Sequence, residues 1–124
     1  MYEISVEGSF SAAHQLRCYR GECERLHGHN WKVEVSLHSE KLDSLGMVMD
    51  FKELKSLVNE ILGELDHHHL NELPAFKEDN PTTENIAAFL YKEIKGKMNK
   101  REIRLHRVRV WENKGSSVGF TYSP

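Results

Sequence analysis

The chain has 124 residues, 39% of them hydrophobic and 29% charged, with a formal net charge of −2. That length suits one domain, residues 1–124, built around one core, and the composition is that of an ordinary globular protein. No general basic surface points to nucleic acid and no apolar run nears membrane-spanning length, so neither is expected as a partner. Eight histidines are the compositional oddity and point to metal or proton chemistry. Cys18 and Cys23, with no leader segment ahead of them, are expected as free thiols in a cytoplasmic protein.

Residues 2–10 alternate and predict a first strand with Ile4, Val6 and Phe10 inward; continued through residues 11–14, it would put Phe10, Ala12 and His14 on one side. Residues 15–26 are polar and predict a loop. Strict alternation over 27–38 then places His27, His29, Trp31, Val33, Val35 and Leu37 on one face. A helix is expected from Asp50, its N-cap, with Glu53 completing a capping-box pattern and Phe51, Leu54, Leu57, Val58, Ile61, Leu62 and Leu65 forming an apolar stripe. Asn80-Pro81 reads as cap and first turn of a second helix, with Ile86, Ala87, Leu90, Tyr91 and Ile94 buried. Residues 103–113 read as a strand whose phase slips, since Ile103 and Leu105 do not match Val108 and Val110; a bulge near His106 and Arg107 reconciles them. A turn at 115–117 leads to a last strand, 118–122. This order, β-β-α-α-β-β, predicts an α+β fold, a four-stranded antiparallel sheet with both helices on one face. Its open edges predict oligomerisation.

The stretch C-E-R-L-H-G-H-N, residues 23–30, carries the chemistry. His27 and His29 extend the apolar side of one strand, and His14 ends the preceding one. Three imidazoles with an open position are the usual set for catalytic zinc, although nickel, iron and copper accept the same ligands. Cys23 is either a reactive thiol beside that metal or a fourth ligand closing a structural site, and spacing leaves both open. In His67-His68-His69, the rings either complement a helix end or include one oriented by Asp66 for proton transfer. Thr82, Thr83 and Glu84 open a helix, as caps or as contacts to a polar ligand. Glu112 lies on an inward strand face and needs a partner, which a paired N–H edge of a ligand would supply.

In order along the chain stand F-S-A-A-H, C-x-x-x-H-G-H-N, G-M-V-M-D-F, L-D-H-x-x-L-N, N-P-T-T-E-N and V-W-E. Together they resemble the 6-pyruvoyl-tetrahydropterin synthase / 6-carboxytetrahydropterin synthase family, which has the tunnelling fold (T-fold). The resemblance implies that His14, His27 and His29 bind Zn2+, that Cys23 is the catalytic thiol and that Asp66 and His67 are the proton-transfer pair. It also implies that Glu112 anchors the amino-pyrimidine edge of a pterin, with Thr82, Thr83 and Glu84 lining the same pocket. A homohexamer of paired trimeric barrels, with active sites at subunit interfaces, is implied as well.

The three residues between Cys23 and His27 resemble the bacterial 6-carboxytetrahydropterin synthases of queuosine biosynthesis. Those convert 7,8-dihydroneopterin triphosphate to 6-carboxytetrahydropterin, acetaldehyde and triphosphate. Glu24 also creates E-x-x-H-G-H, similar to variants that release 6-hydroxymethyldihydropterin for folate synthesis. The histidine trio would also suit a pyruvoyl-forming enzyme or, without catalysis, a zinc-binding module; a zinc peptidase would need H-E-x-x-H. Arg17, Arg20, Arg25 and Lys114 are candidates for the triphosphate.

Overall fold

Alternation carries the first two strands to their full length. In the computed structural model, which describes residues 1–18, 24–100 and 102–122, β1 runs Tyr2–His14 and β2 runs His27–Ser39. They pair antiparallel without a slip, from Tyr2 opposite Ser39 to His14 opposite His27. Helices α1 (Phe51–Leu62) and α2 (Thr83–Lys97) follow, then β3 (Arg104–Asn113) and β4 (Ser116–Phe120). Two short 3-10 turns, Leu70–Glu72 and Pro74–Phe76, connect the helices. The sheet order is β1-β2-β3-β4, antiparallel throughout, as the pattern predicted.

Trp31, Val33, Val35 and Leu37 on β2 and Val108 and Val110 on β3 are fully buried under the helices. Each such side chain contributes about 1.5–3 kcal/mol on leaving water, so this shared face specifies the register. From the helices come Leu54, Val58, Ile61 and Leu62, and Ile86, Ala87, Leu90, Tyr91 and Ile94. Gly8 allows α1 to approach β1 closely, since a Cβ there would stand 2.9 Å from Leu62 Cδ1. Phe51 departs from the expected stripe: at the first helical position it is 55% exposed.

Both strand irregularities fall on β3. Ser36 faces Arg107 while Leu37 faces Leu105, so His106 is an extra residue, the bulge the phase slip predicted. A second one was not foreseen. Trp111 faces Ser117 while Asn113 faces Ser116, which leaves Glu112 unpaired against β4. The last strand accordingly begins at Ser116, ahead of the expected 118.

Asp50 caps α1, its side chain accepting from Lys52 N. The expected cap of α2 is corrected: Thr82, not Asn80, holds that position, and its Oγ1 accepts from Asn85 N at 3.1 Å. Asn80 is engaged elsewhere, accepting from Arg17 N (2.8 Å) and donating to Arg17 O (3.0 Å). Pro81 therefore precedes the helix. Among the described residues no helix is long and apolar enough to cross a membrane.

Candidate active site

The three histidines of the sequence pattern meet where the helices stop. His14 and His27 face each other across the end of the β1–β2 pair, and His29 lies one pleat further in, opposite Ala12. All three point to the helix side. Their floor is Trp31, which donates from Nε1 to Ala12 O at 3.3 Å and lies edge-on to His14 and His29, centroids 5.0 and 5.2 Å away. Phe10 stacks parallel to it at 5.8 Å. The donors thus stand on an apolar base.

Hydrogen bonding at the far side of two rings decides what they offer here. His14, only 2% exposed, donates from Nδ1 to Pro81 O at 2.8 Å, and His27 Nδ1 donates to Arg25 O at 2.8 Å. A carbonyl can only accept, so both Nδ1 atoms carry the proton and both neutral rings keep a lone pair at Nε2. Those Nε2 atoms lie 3.1 Å apart. Two lone pairs at that separation repel unless a cation sits between them. His29 Nε2 is buried with no hydrogen-bond partner. Burial holds the proton affinity of His29 below the ordinary imidazole value, with His14 and His27 adding to the effect and Glu112 opposing it.

The Glu112 bulge turns its carboxylate to the same point. Oε1 lies 3.3 Å from His14 Nε2 and 3.2 Å from His29 Nε2. Ligands about 2.05 Å from a tetrahedral zinc stand about 3.3 Å apart. The spacing of His14, His27, His29 and Glu112 fits such an ion, and together they are a group that could hold one.

Beside it, the chain from Asp66 to His69 lies along the outer edge of β1. Asp66 Oδ1 accepts from Ser11 N at 2.8 Å, His67 N donates to Ser11 O at 2.6 Å, and Ala13 N donates to His68 O at 3.1 Å. Asp66 Oδ2 holds His67 Nδ1 at 2.9 Å. The Ser11 N–H first, and then His67, keep the Asp66 carboxyl below its usual range. His67 has φ +60°, a left-handed conformation uncommon outside glycine, and its side chain is 82% exposed. Ser11, Gly28, His29, Asn30 and His67–His69 line a cavity of about 510 Å³. His29 and His67, the ring held by Asp66, therefore line one space. His68 donates to Asp66 O, and His69 faces Glu72 at 3.5 Å.

Of the other expected site residues, Thr82 is occupied as the α2 cap, Thr83 is half-buried and Glu84 is exposed in the same first turn. Pro81 ties that turn to His14. Cys23 and Arg20 lie outside the described residues. Arg17, considered for the triphosphate, donates instead to Phe76 O (2.6 Å) and Asp79 O (3.0 Å). Glu24 ties back to Leu16: its N donates to Leu16 O at 2.9 Å, and its Oε1 accepts from Leu16 N at 3.2 Å and lies 3.7 Å from His27 Nδ1.

Sequence reasoning missed one asparagine, Asn71, and misassigned another, Asn80. Asn71 accepts from Gln15 N (2.9 Å) and donates to Gln15 O (2.8 Å), the same clasp Asn80 makes on Arg17. These amides stand in for strand neighbours and hold the chain leaving His14. Their place in L-D-H-x-x-L-N and N-P-T-T-E-N was the available signal.

The family model described as 6-pyruvoyl tetrahydropterin synthase matches residues 3–122. Similar proteins include one from Archaeoglobus fulgidus, 43% identical over 110 residues (89% of this chain, 87% of that one), whose name provisionally assigns it as a 6-carboxy-5,6,7,8-tetrahydropterin synthase. A Synechocystis protein of the same name is 39% identical over 99 residues (76% and 75%). A Pyrococcus furiosus protein named dihydroneopterin monophosphate aldolase is 39% identical over 109 residues (88% and 88%). The solved structure of Caenorhabditis elegans 6-pyruvoyl tetrahydropterin synthase superposes with a TM-score of 0.83 at 28% identity, covering 99% of this chain and 98% of that one. The sheet, the two helices and the span of these matches establish that the chain belongs to the 6-pyruvoyl tetrahydropterin synthase family, whose T-fold it has.

Proposed function

We propose that this chain is a zinc-dependent 6-carboxy-5,6,7,8-tetrahydropterin synthase. It would convert 7,8-dihydroneopterin triphosphate to 6-carboxytetrahydropterin, acetaldehyde and triphosphate, in the cytoplasm, for 7-deazaguanine (queuosine) synthesis. The observation that carries the reading is the pair of facing Nε2 atoms on His14 and His27, 3.1 Å apart, beside His29, which lines one cavity with His67. The names of two relatives support the product.

Zinc held by His14, His27 and His29 would supply Lewis acidity and a template for the substrate's side-chain hydroxyls. His67, oriented by Asp66, moves a proton at its exposed imidazole. Cys23 is the base that complements it. Glu112 takes the two N–H groups of the pterin edge through parallel hydrogen bonds, with Thr82, Thr83 and Glu84 on the same wall. Because Glu112 already reaches His14 and His29, a pterin held there lies against the centre. The outer edge of β1 ahead of Ser11 and the outer edge of β4 suit pairing between copies into a barrel, and hence a hexamer with active sites at subunit interfaces.

Anaerobic incubation of zinc-loaded protein with 7,8-dihydroneopterin triphosphate, followed by mass-resolved product analysis, tests this. The expected products are 6-carboxytetrahydropterin and acetaldehyde. No turnover by protein that binds both zinc and pterin would overturn the substrate assignment. A second reading, cleavage to 6-hydroxymethyldihydropterin, is favoured by the Glu24 carboxylate 3.7 Å from His27 and by the aldolase name of one relative. The same assay reports it, and loss of that product alone in Glu24→Gln would assign it to Glu24.

A further inference from the structure

The His106 bulge serves no part of the chemistry above. Val108 and Val110 face the helices, and unbroken alternation would send His106 to that side too. The extra residue instead leaves Leu105 to fill the core and brings His106 beside His38 on the opposite face of the sheet. The two rings stack with centroids 3.8 Å apart and planes 15° from parallel. Glu3, directly across from His38 on β1, accepts from His38 Nε2 at 2.9 Å. One donor atom from each of the three residues falls within 4.8 Å of the others.

We propose that Glu3, His38 and His106 form a second metal site, for an imidazole-preferring divalent ion of the zinc, nickel or copper class. It is separate from the His14 centre. Glu3 lies eleven residues back along β1, roughly 35 Å away at the rise of a strand, and on the other face. Two imidazoles and a carboxylate are a donor set such ions accept, with open positions left for water. A hard ion such as magnesium or calcium would need more oxygens than are here.

Ligation at this site would displace the proton that His38 Nε2 donates to Glu3, leaving the neutral ring and the anionic carboxylate that bind metal. Tetrahedral ligation puts donors about 3.3 Å apart; Glu3 and His38 already stand at 2.9 Å, and a bound ion would turn the stacked His38 and His106 rings out of their parallel packing so that both aim at it. Arg107 is paired with Glu34 at 3.4 Å, yet its charge and that of Arg104 remain nearby. The second site is therefore the weaker of the two.

Metal-free protein titrated with zinc or cobalt, with metal per chain measured by elemental analysis after equilibrium dialysis, tests this. The native chain should take up two equivalents, the second more weakly. His106→Ala should take up one, with pterin turnover unchanged, and His27→Ala should retain only the weaker one. Glu3→Gln, at a half-exposed position tolerant of change, should weaken the second equivalent and leave the first. A single equivalent in the native protein would overturn the proposal, as would a second equivalent that survives in the combined His38→Ala, His106→Ala variant.

Discussion

His14 Nε2 and His27 Nε2 stand 3.1 Å apart while the other nitrogen of each ring donates to a carbonyl. In their neutral forms neither ring has a proton left to place between them. The repulsion is built in by Pro81 and Arg25, and a bound cation removes it.

Metal removal should accordingly loosen the fold at this end. With free metal at a hundred times its Kd, binding stabilises the chain by about 2.7 kcal/mol. Chelation should lower the unfolding free energy by about that amount and the Tm with it, and re-addition of zinc should restore both. A Tm indifferent to chelator would mean that the histidines hold together unaided.

Cys23→Ala should keep its zinc and lose most of its turnover. The prediction separates a thiol base from a ligand: retained metal supports the base, whereas loss of zinc from this variant would make Cys23 chiefly a ligand.

His67 combines the proposed proton-transfer role with a left-handed backbone. His67→Gly removes the cost of a left-handed side-chain residue and should raise stability by about 1 kcal/mol. Turnover should fall by at least about a hundredfold, the contribution of a positioned acid or base. Denaturant unfolding and steady-state rates measured on one preparation would show both; a glycine variant that loses stability would mean the conformation is not strained.

The Asp66 grip on Ser11 N–H is a pH-dependent element. Its carboxyl is lowered in the folded chain, so the stabilisation is fully present above the ordinary carboxylate range. It is lost as pH falls through the lowered folded value. Exchange of the Ser11 amide should accelerate, relative to its neighbours in β1, only in that acid range. Asp66→Asn should abolish this pH dependence.

Much of this was legible because strands repeat every two residues: once His27 and His29 share a face with Val33 and Val35, the burial of those valines aims the imidazoles too. The phase slip between Leu105 and Val108 announced the His106 bulge in the same way. The Glu112 bulge had no such signal, since it arises only in pairing with β4. Asn80-Pro81 imitates a cap and first turn, and only the demand of Arg17, 63 residues away, moves the cap to Thr82. The Pro81 carbonyl that sets the His14 tautomer is a backbone atom, invisible to any residue pattern.

The segment from Asp66 to His69 also acts as a stop on β1. It occupies the outer backbone groups of Ser11 and Ala13, so any neighbouring strand that adds to that edge must end before Ser11. The alignment of one copy on another would then be limited by the same few residues proposed to move the proton. A chain that slipped this segment would lose its register with its neighbours and its acid together. Misassembled material would therefore also be inactive.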